Sequence, residues 1–193
     1  MYYCNRATGQ FGVTLHDAAA AAGASVPHGA TEFGDWEGYA DTNPPEHNRL
    51  THAVAEQKPK RIAGVLTQQW SVLPLTSDVV ANNEAAWRVV LHQQINSWRD
   101  QQESGGVDHM GHHWDTDQAA RDRIQSVLLC GANPLGYWTD AHNNNVAMDF
   151  AGLQQLWAAI VEQGAAIHAR QRQMKTEIAT LAGDSLLAYQ PGW

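Results

Sequence analysis

The chain has 193 residues, enough for one domain or two small ones and too few for a large catalytic fold. Its 12 Lys+Arg against 20 Asp+Glu leave a formal charge of -8, and only Lys58, Lys60 and Arg61 cluster, so no nucleic-acid partner is expected. Cys4 and Cys130 form no ligand-spaced pair, so neither a disulfide framework nor a thiolate zinc site is indicated, which fits synthesis in a reducing cytoplasm.

The opening MYYCNRATGQF and the alanine run Ala18 to Ala22 are too weakly apolar for a signal or a membrane span, so no membrane insertion is expected. Residues 1–43 read as a small β-rich module, with short apolar pieces at Tyr2-Tyr3 and Phe11 to Leu15 between turn-forming glycines. Asn43-Pro44-Pro45 cannot continue a helix and marks a boundary. Residues 44–75 then form a linker and a β-hairpin, alternating along Val65 to Val72 and turning at Ala63-Gly64.

Residues 76–193 read as a helical domain with inserted hairpins. Thr76 or Ser77 with Asp78 starts a helix that runs to about Glu103, where Ser104-Gly105-Gly106 stops it; Val80, Trp87, Leu91, Ile95 and Trp98 form its apolar stripe. VDHMGHHWDTD predicts a tight hairpin about Gly111, and Thr116 is expected to cap a short helix bearing Ala120, Ile124, Val127 and Leu128. A second hairpin follows over Gly136 to Met148, turning at Asn143-Asn144-Asn145.

The last helix opens at Asp149 and carries Leu153, Trp157, Ile160, Gly164, Ile167, Gln171, Met174, Ile178 and Leu181 at four-three spacing. Such a seam packs either on the Val80 to Trp98 helix or between chains. Arg170 falls on the opposite face. The fold class is therefore α+β: a small N-terminal β-rich module followed by β-hairpins alternating with helices and a long C-terminal helix.

One constellation invites chemistry. His109, His112 and His113 lie near Asp108, Asp115 and Asp117, yet no HExxH is present, the hairpin histidines read as surface residues, and the two later aspartates suit a helix N-terminus. GxSxG, P-loop and GxGxxG motifs are missing, and His142 beside Asp140 reads as a polar turn. The expectation is a non-enzymatic protein with no metal and no cofactor.

The segments MYYCNRATGQFG, PPEHNRLTHAVAEQKPKRIAGVLTQQWSVLPLT and NNEAAWRVV resemble bacteriophage tail-fibre and tail-fibre assembly proteins, apart from the longer insertion HDAAAAAGASVPHGATEFGDWEGY. INSWRDQQESGGV, GHHWDTDQAARDRIQ, YWTDAHNNNVAMDFAGLQQL and IHARQRQMKTEI resemble a phage-encoded C-terminal domain family of unknown function. The resemblance implies a protein made in the host cytoplasm that works at the phage tail, with a tail-fibre protein as partner, threefold symmetry, and contact with a host-surface receptor.

Two readings follow: a virion-resident fibre tip or receptor-binding subunit, or a chaperone that aids fibre folding and then leaves. Tyr2, Tyr3 and Phe11 are the expected fibre-binding residues, because short β pieces gain by pairing with fibre strands. Trp157, Ile160, Ile167, Met174 and Ile178 are the expected seam. The last helix looks about two turns longer than its intrachain partner, which would leave part of that seam wet in a monomer and favour a homotrimer.

Overall fold

Antiparallel pairing begins at once: β1 (Tyr2–Asn5) lies against β3 (Trp36–Tyr39), which also pairs with β2 (Glu32–Phe33), giving the order β1-β3-β2. The computed structural model describes residues 1–193 and is mixed α+β, with short antiparallel strand pairs and a long C-terminal helix, as expected from the sequence. It divides into two compact units, Met1–Asn83 and Glu84–Trp193.

In the first unit an unforeseen helix, α1 (Leu15–Ala22), is built on the alanine run. Alanine is the best helix former, the Thr14 side chain caps the start by accepting the Asp17 N–H, and Gly23 ends the helix in the left-handed conformation. Ala18 packs with Tyr3 and Trp36 to make the small core of this sheet.

The hairpin of β4 (His52–Ile62) and β5 (Val65–Pro74) turns where expected, with Ala63 at φ 48° and Gly64 at φ 84°. A bulge interrupts its register between Gln57 and Lys60. The hairpin belongs to the same unit as the N-terminal sheet. Ala40 N donates to Leu66 O and Ala40 O accepts from Gln68 N, both at 2.9 Å. The Tyr39 hydroxyl donates to Glu56 Oε1 at 2.6 Å, and Gln68 Nε2 donates to the same oxygen at 2.9 Å. Residues 40–49 thus lie inside this unit.

The division between units falls within α2 (Ser77–Ser104). In the second unit come β6 (Val107–His109) and β7 (His112–Trp114), α3 (Gln118–Cys130), β8 (Tyr137–Thr139) and β9 (Asn145–Ala147), α4 (Phe150–Thr180) and α5 (Gly183–Leu187). Met110 at φ 52° and Gly111 at φ 78° make the β6–β7 turn. The cap of α3 is Asp117, not Thr116: Asp117 Oδ1 accepts the Ala120 N–H at 2.7 Å. Thr116 is buried, its hydroxyl donating to Glu103 O and accepting the Gly106 N–H, so it ties the end of α2 to the second strand's exit.

Helices α2 and α4 run antiparallel. Gln171 Nε2 donates to Asn96 Oδ1 at 2.9 Å, Arg88 Nε to Ile178 O at 3.1 Å, and Gln163 Nε2 to Gly106 O at 3.0 Å. The core of the hairpin end gathers Trp114, Ile124, Met148, Leu153, Leu156 and Ile160, while Leu91, Ile95, Ile167, Met174, Ile178 and Leu186 are buried farther along.

Two expectations about the seam change here. With 28 residues in α2 and 31 in α4, the helices differ by less than one turn. The distal seam is also covered within the chain: Leu186 of α5 is fully buried, and Gly192 N donates to Met174 Sδ at 3.4 Å. The wet stretch that would have favoured threefold packing of this seam does not exist.

Candidate functional site

Of the residues expected to bind a fibre, Tyr3 is a core residue whose hydroxyl donates to Ala30 O, Tyr2 is exposed and stacks on Tyr39 at 6.3 Å, and Phe11 is half-buried. The outer edge of β1 is taken by the chain's own return: Tyr3 N donates to Val13 O at 2.8 Å and Asn5 N to Gln10 O at 2.7 Å. Another strand edge in this unit is unpaired. β4 pairs only with β5, so its outer edge is free, and Pro59 with the bulge leaves His52 to Gln57 as its longest regular run.

Exposed apolar side chains accompany that edge. Ile62 and Val65 flank the hairpin tip, and Val72 and Leu73 stand on β5 near its base at 39% and 49% exposure. Few apolar side chains of this hairpin are buried, and Gln68, which is, spends its amide on Glu56 and the Thr42 N–H. An isolated two-stranded ribbon of this kind is marginal without further cover. The Tyr39 hydroxyl is held well above its usual pKa by burial and by Glu56, so it stays a neutral donor.

The histidine hairpin does not assemble a ligand set. His113 Nδ1 lies 2.7 Å from Asp108 Oδ1, which raises its pKa, and its Nε2 lies 3.0 Å from Gly105 O. His112 Nδ1 lies 3.2 Å from Asp140 Oδ2, whereas His109 Nε2 is buried with no partner, and Asp117 is occupied as a cap. No three His, Cys, Asp or Glu side chains converge.

Asp140 is the most constrained charge of this unit. Its carboxyl accepts the Asn144 and His142 N–H groups, both at 2.9 Å, and the Asn144 amide, so these bonds with His112 pull its pKa down to about 2. It meets His142 through the backbone alone and so organises the β8–β9 turn.

The predicted seam residues lie on α4, but Leu156 takes the buried position and Trp157 is half-buried beside it. Ile160, Ile167, Met174 and Ile178 are buried. Arg170, expected on a free face, instead donates through Nε to Gly192 O at 2.7 Å and through Nη1 to Glu177 Oε1 at 2.6 Å. Glu177 also accepts from the Tyr189 hydroxyl at 2.6 Å, and its carboxyl pKa is lowered by Arg170 first and then by Tyr189. Together they clasp the C-terminal chain to α4.

No curated protein and no solved structure matches this chain. A family model described as a domain of unknown function, DUF4376, matches residues 86–190, more than half of the sequence and nearly the whole second unit. The chain belongs to the DUF4376 family.

Proposed function

We propose that the protein is a non-enzymatic, virion-associated component of a bacteriophage tail fibre, serving as a tip or receptor-binding subunit in host attachment. The carrying observation is the open edge of β4 with exposed Ile62, Val65, Val72 and Leu73 beside it. A fibre strand laid along β4 would pair its free backbone groups, and fibre residues flanking that strand would pack over the exposed side chains on the hairpin faces. The resemblance of MYYCNRATGQFG and PPEHNRLTHAVAEQKPKRIAGVLTQQWSVLPLT to tail-fibre proteins supports the same side of the chain, with Tyr2 and Phe11 as further accessible contacts. Three copies on a trimeric fibre, one per fibre chain, follow from that mode of docking.

The test is co-purification with the tail-fibre protein of the parent phage. Val72→Glu with Leu73→Glu replaces two exposed side chains, so folding should persist while fibre capture is lost. Undiminished capture removes this docking surface.

The second reading, a fibre-assembly chaperone that leaves before the virion is complete, is favoured by the burial of the α4 seam within one chain. Such a chain needs no copies of itself to be stable. Mass spectrometry of gradient-purified particles separates the two: fibre stoichiometry supports residence, and absence supports the chaperone.

A further inference from the structure

The chain carries 20 Asp+Glu against 12 Lys+Arg, yet in one groove of the second unit every charged residue of the wall is basic. The groove holds about 570 Å³, within the usual size range for small-ligand sites. Arg99 on α2 lines it from one side, and His168, Gln171, Arg172, Lys175 and Ala179 line it along α4. Those α4 positions recur at steps of three and four residues, so they share one face of the helix.

The chain leaves these charges largely unanswered. The ion pairs of the unit join Arg88 to Glu84, Arg99 to Asp100, Arg170 to Glu177 and two histidines to aspartates, and neither Arg172 nor Lys175 takes part in any of them. Arg99 meets Asp100 through Nε and Nη2 only, which keeps its Nη1 for another acceptor. Like charges three residues apart weaken a helix, and a carboxylate at position 179, one turn beyond Lys175, could relieve them; an alanine stands there instead. The wall is also polar where the four-three pattern calls for an apolar side chain. Gln171 is 3% exposed, and its Nε2 donates to Asn96 Oδ1 at 2.9 Å, which fixes the carboxamide across the two helices.

What this wall lacks is an oxyanion. A guanidinium presents a planar fork that grips two oxygens of a phosphate or carboxylate, and an ammonium donates to a further oxygen from almost any direction. A single small ion would satisfy one of these groups, whereas cations on both helices suit a molecule that carries several. We propose that the groove between Arg99, Arg172 and Lys175 binds a small multivalent oxyanion, one with at least two phosphate or carboxylate groups. The acidic balance of the whole chain repels a long polyanion such as nucleic acid, but a small ligand feels mainly the local field. The site lies in the second unit and does not depend on the fibre-docking reading, which concerns the first.

The test is calorimetric titration of the full chain with tripolyphosphate, citrate and sulfate in about 0.1 M salt, where charges more than about 10 Å apart are screened. Tripolyphosphate or citrate should bind at one per chain with a Kd on the order of 0.1 mM, and whichever binds more tightly tells a phosphate ligand from a carboxylate one. Sulfate should bind at least about tenfold more weakly, having a single oxyanion group. Arg172→Gln with Lys175→Gln should abolish binding and leave circular dichroism unchanged, because neither side chain holds an ion pair. Lys60→Gln with Arg123→Gln removes the same charge from outside the groove and should leave binding intact. Ala179→Glu supplies a carboxylate from the chain itself and should weaken binding by about tenfold. The proposal is overturned if neither multivalent anion binds, if sulfate binds as tightly as they do, or if the two double variants lose binding equally.

Discussion

Truncating Ile167 to alanine measures how far the long seam is an intrachain core. Its side chain is 1% exposed. Removing three carbons forfeits about 2.4 kcal/mol at about 0.8 kcal/mol each, and a cavity that relaxes only in part raises the loss to about 3–4 kcal/mol. Against a typical total of about 5–15 kcal/mol, that is a large share. Urea unfolding followed by far-ultraviolet circular dichroism, at two protein concentrations about tenfold apart, reads both the size of the loss and its origin. The expected result is a midpoint lowered in the variant and independent of concentration in both proteins, because the covering residues, Leu186 and the turn back to Gly192, belong to the same chain. A loss under about 1 kcal/mol, or midpoints that climb with concentration, would refute an intrachain seam. Ile167→Asp should go further and unfold the second unit, since a buried unpaired carboxylate costs several kcal/mol.

Three further outcomes follow from particular contacts. Arg170→Asp removes the bonds to Gly192 O and Glu177 and sets two carboxylates side by side, so thermal unfolding should show a loss of about 2–3 kcal/mol and proteolysis should trim the C-terminal residues sooner. Gly106→Ala places a methyl group against the His113 ring and 2.9 Å from Trp114 O at φ 90°, so it should cost at least about 2 kcal/mol in the same assay and lose the far-ultraviolet signature of an ordered unit if the hairpin cannot shift. Asp140 titrates near 2 when folded, below the free carboxyl value of about 3.9, so its stabilising contribution is complete above that value and is lost as the pH falls through about 2. The melting-temperature gap between wild type and Asp140→Asn should therefore be widest near neutrality and close on acidification; a gap that stays constant down to pH of about 2 counts against the assigned turn.

What could be read from the sequence was whatever recurs along the chain. The hairpin at Ala63-Gly64, the hairpin at Met110-Gly111 and the helices around Leu91 and Ile167 announce themselves by alternation or by four-three spacing. What escaped depends on neighbours. Leu156 and Trp157 are both apolar and one residue apart, so a period alone does not choose which enters the core; Leu156 is fully buried and Trp157 packs half-buried against the same core. The alanines of α1 have little apolar area to mark a face, and eight residues give barely two turns of period. Thr116 and Asp117 are both residue types that cap helices, and the burial of Thr116 between Glu103 and Gly106 leaves the cap to Asp117. Arg170 looked free because its partner lies in an irregular tail that no period describes. The free β4 edge shares this cause: it is defined by a partner it lacks, and that is visible only once every other strand is placed.

The burial of the seam also bears on whether the chain forms a trimer by itself. A homotrimer that forms by itself needs a contiguous interface, on the order of 1,000 Å² or more, with an apolar centre. The inward face of α4, six apolar side chains and Gln171, is already consumed against its own unit. What stays exposed is split: Val89, Val90, Met110, Leu129, Leu135, Val161 and Trp193 in the second unit, and Met1, Tyr2, Val79 and the hairpin's Ile62, Val65, Val72 and Leu73 in the first. Those of the second unit are scattered single residues, which are ordinary surface. The isolated chain should therefore scatter light as a particle of 21.2 kDa at micromolar concentration, and adding fibre protein should recruit it at one copy per fibre chain. A free mass near three times that value would mean that a self-association surface exists outside the seam, and the fibre would then be matched by a preformed trimer rather than assembled on strand by strand.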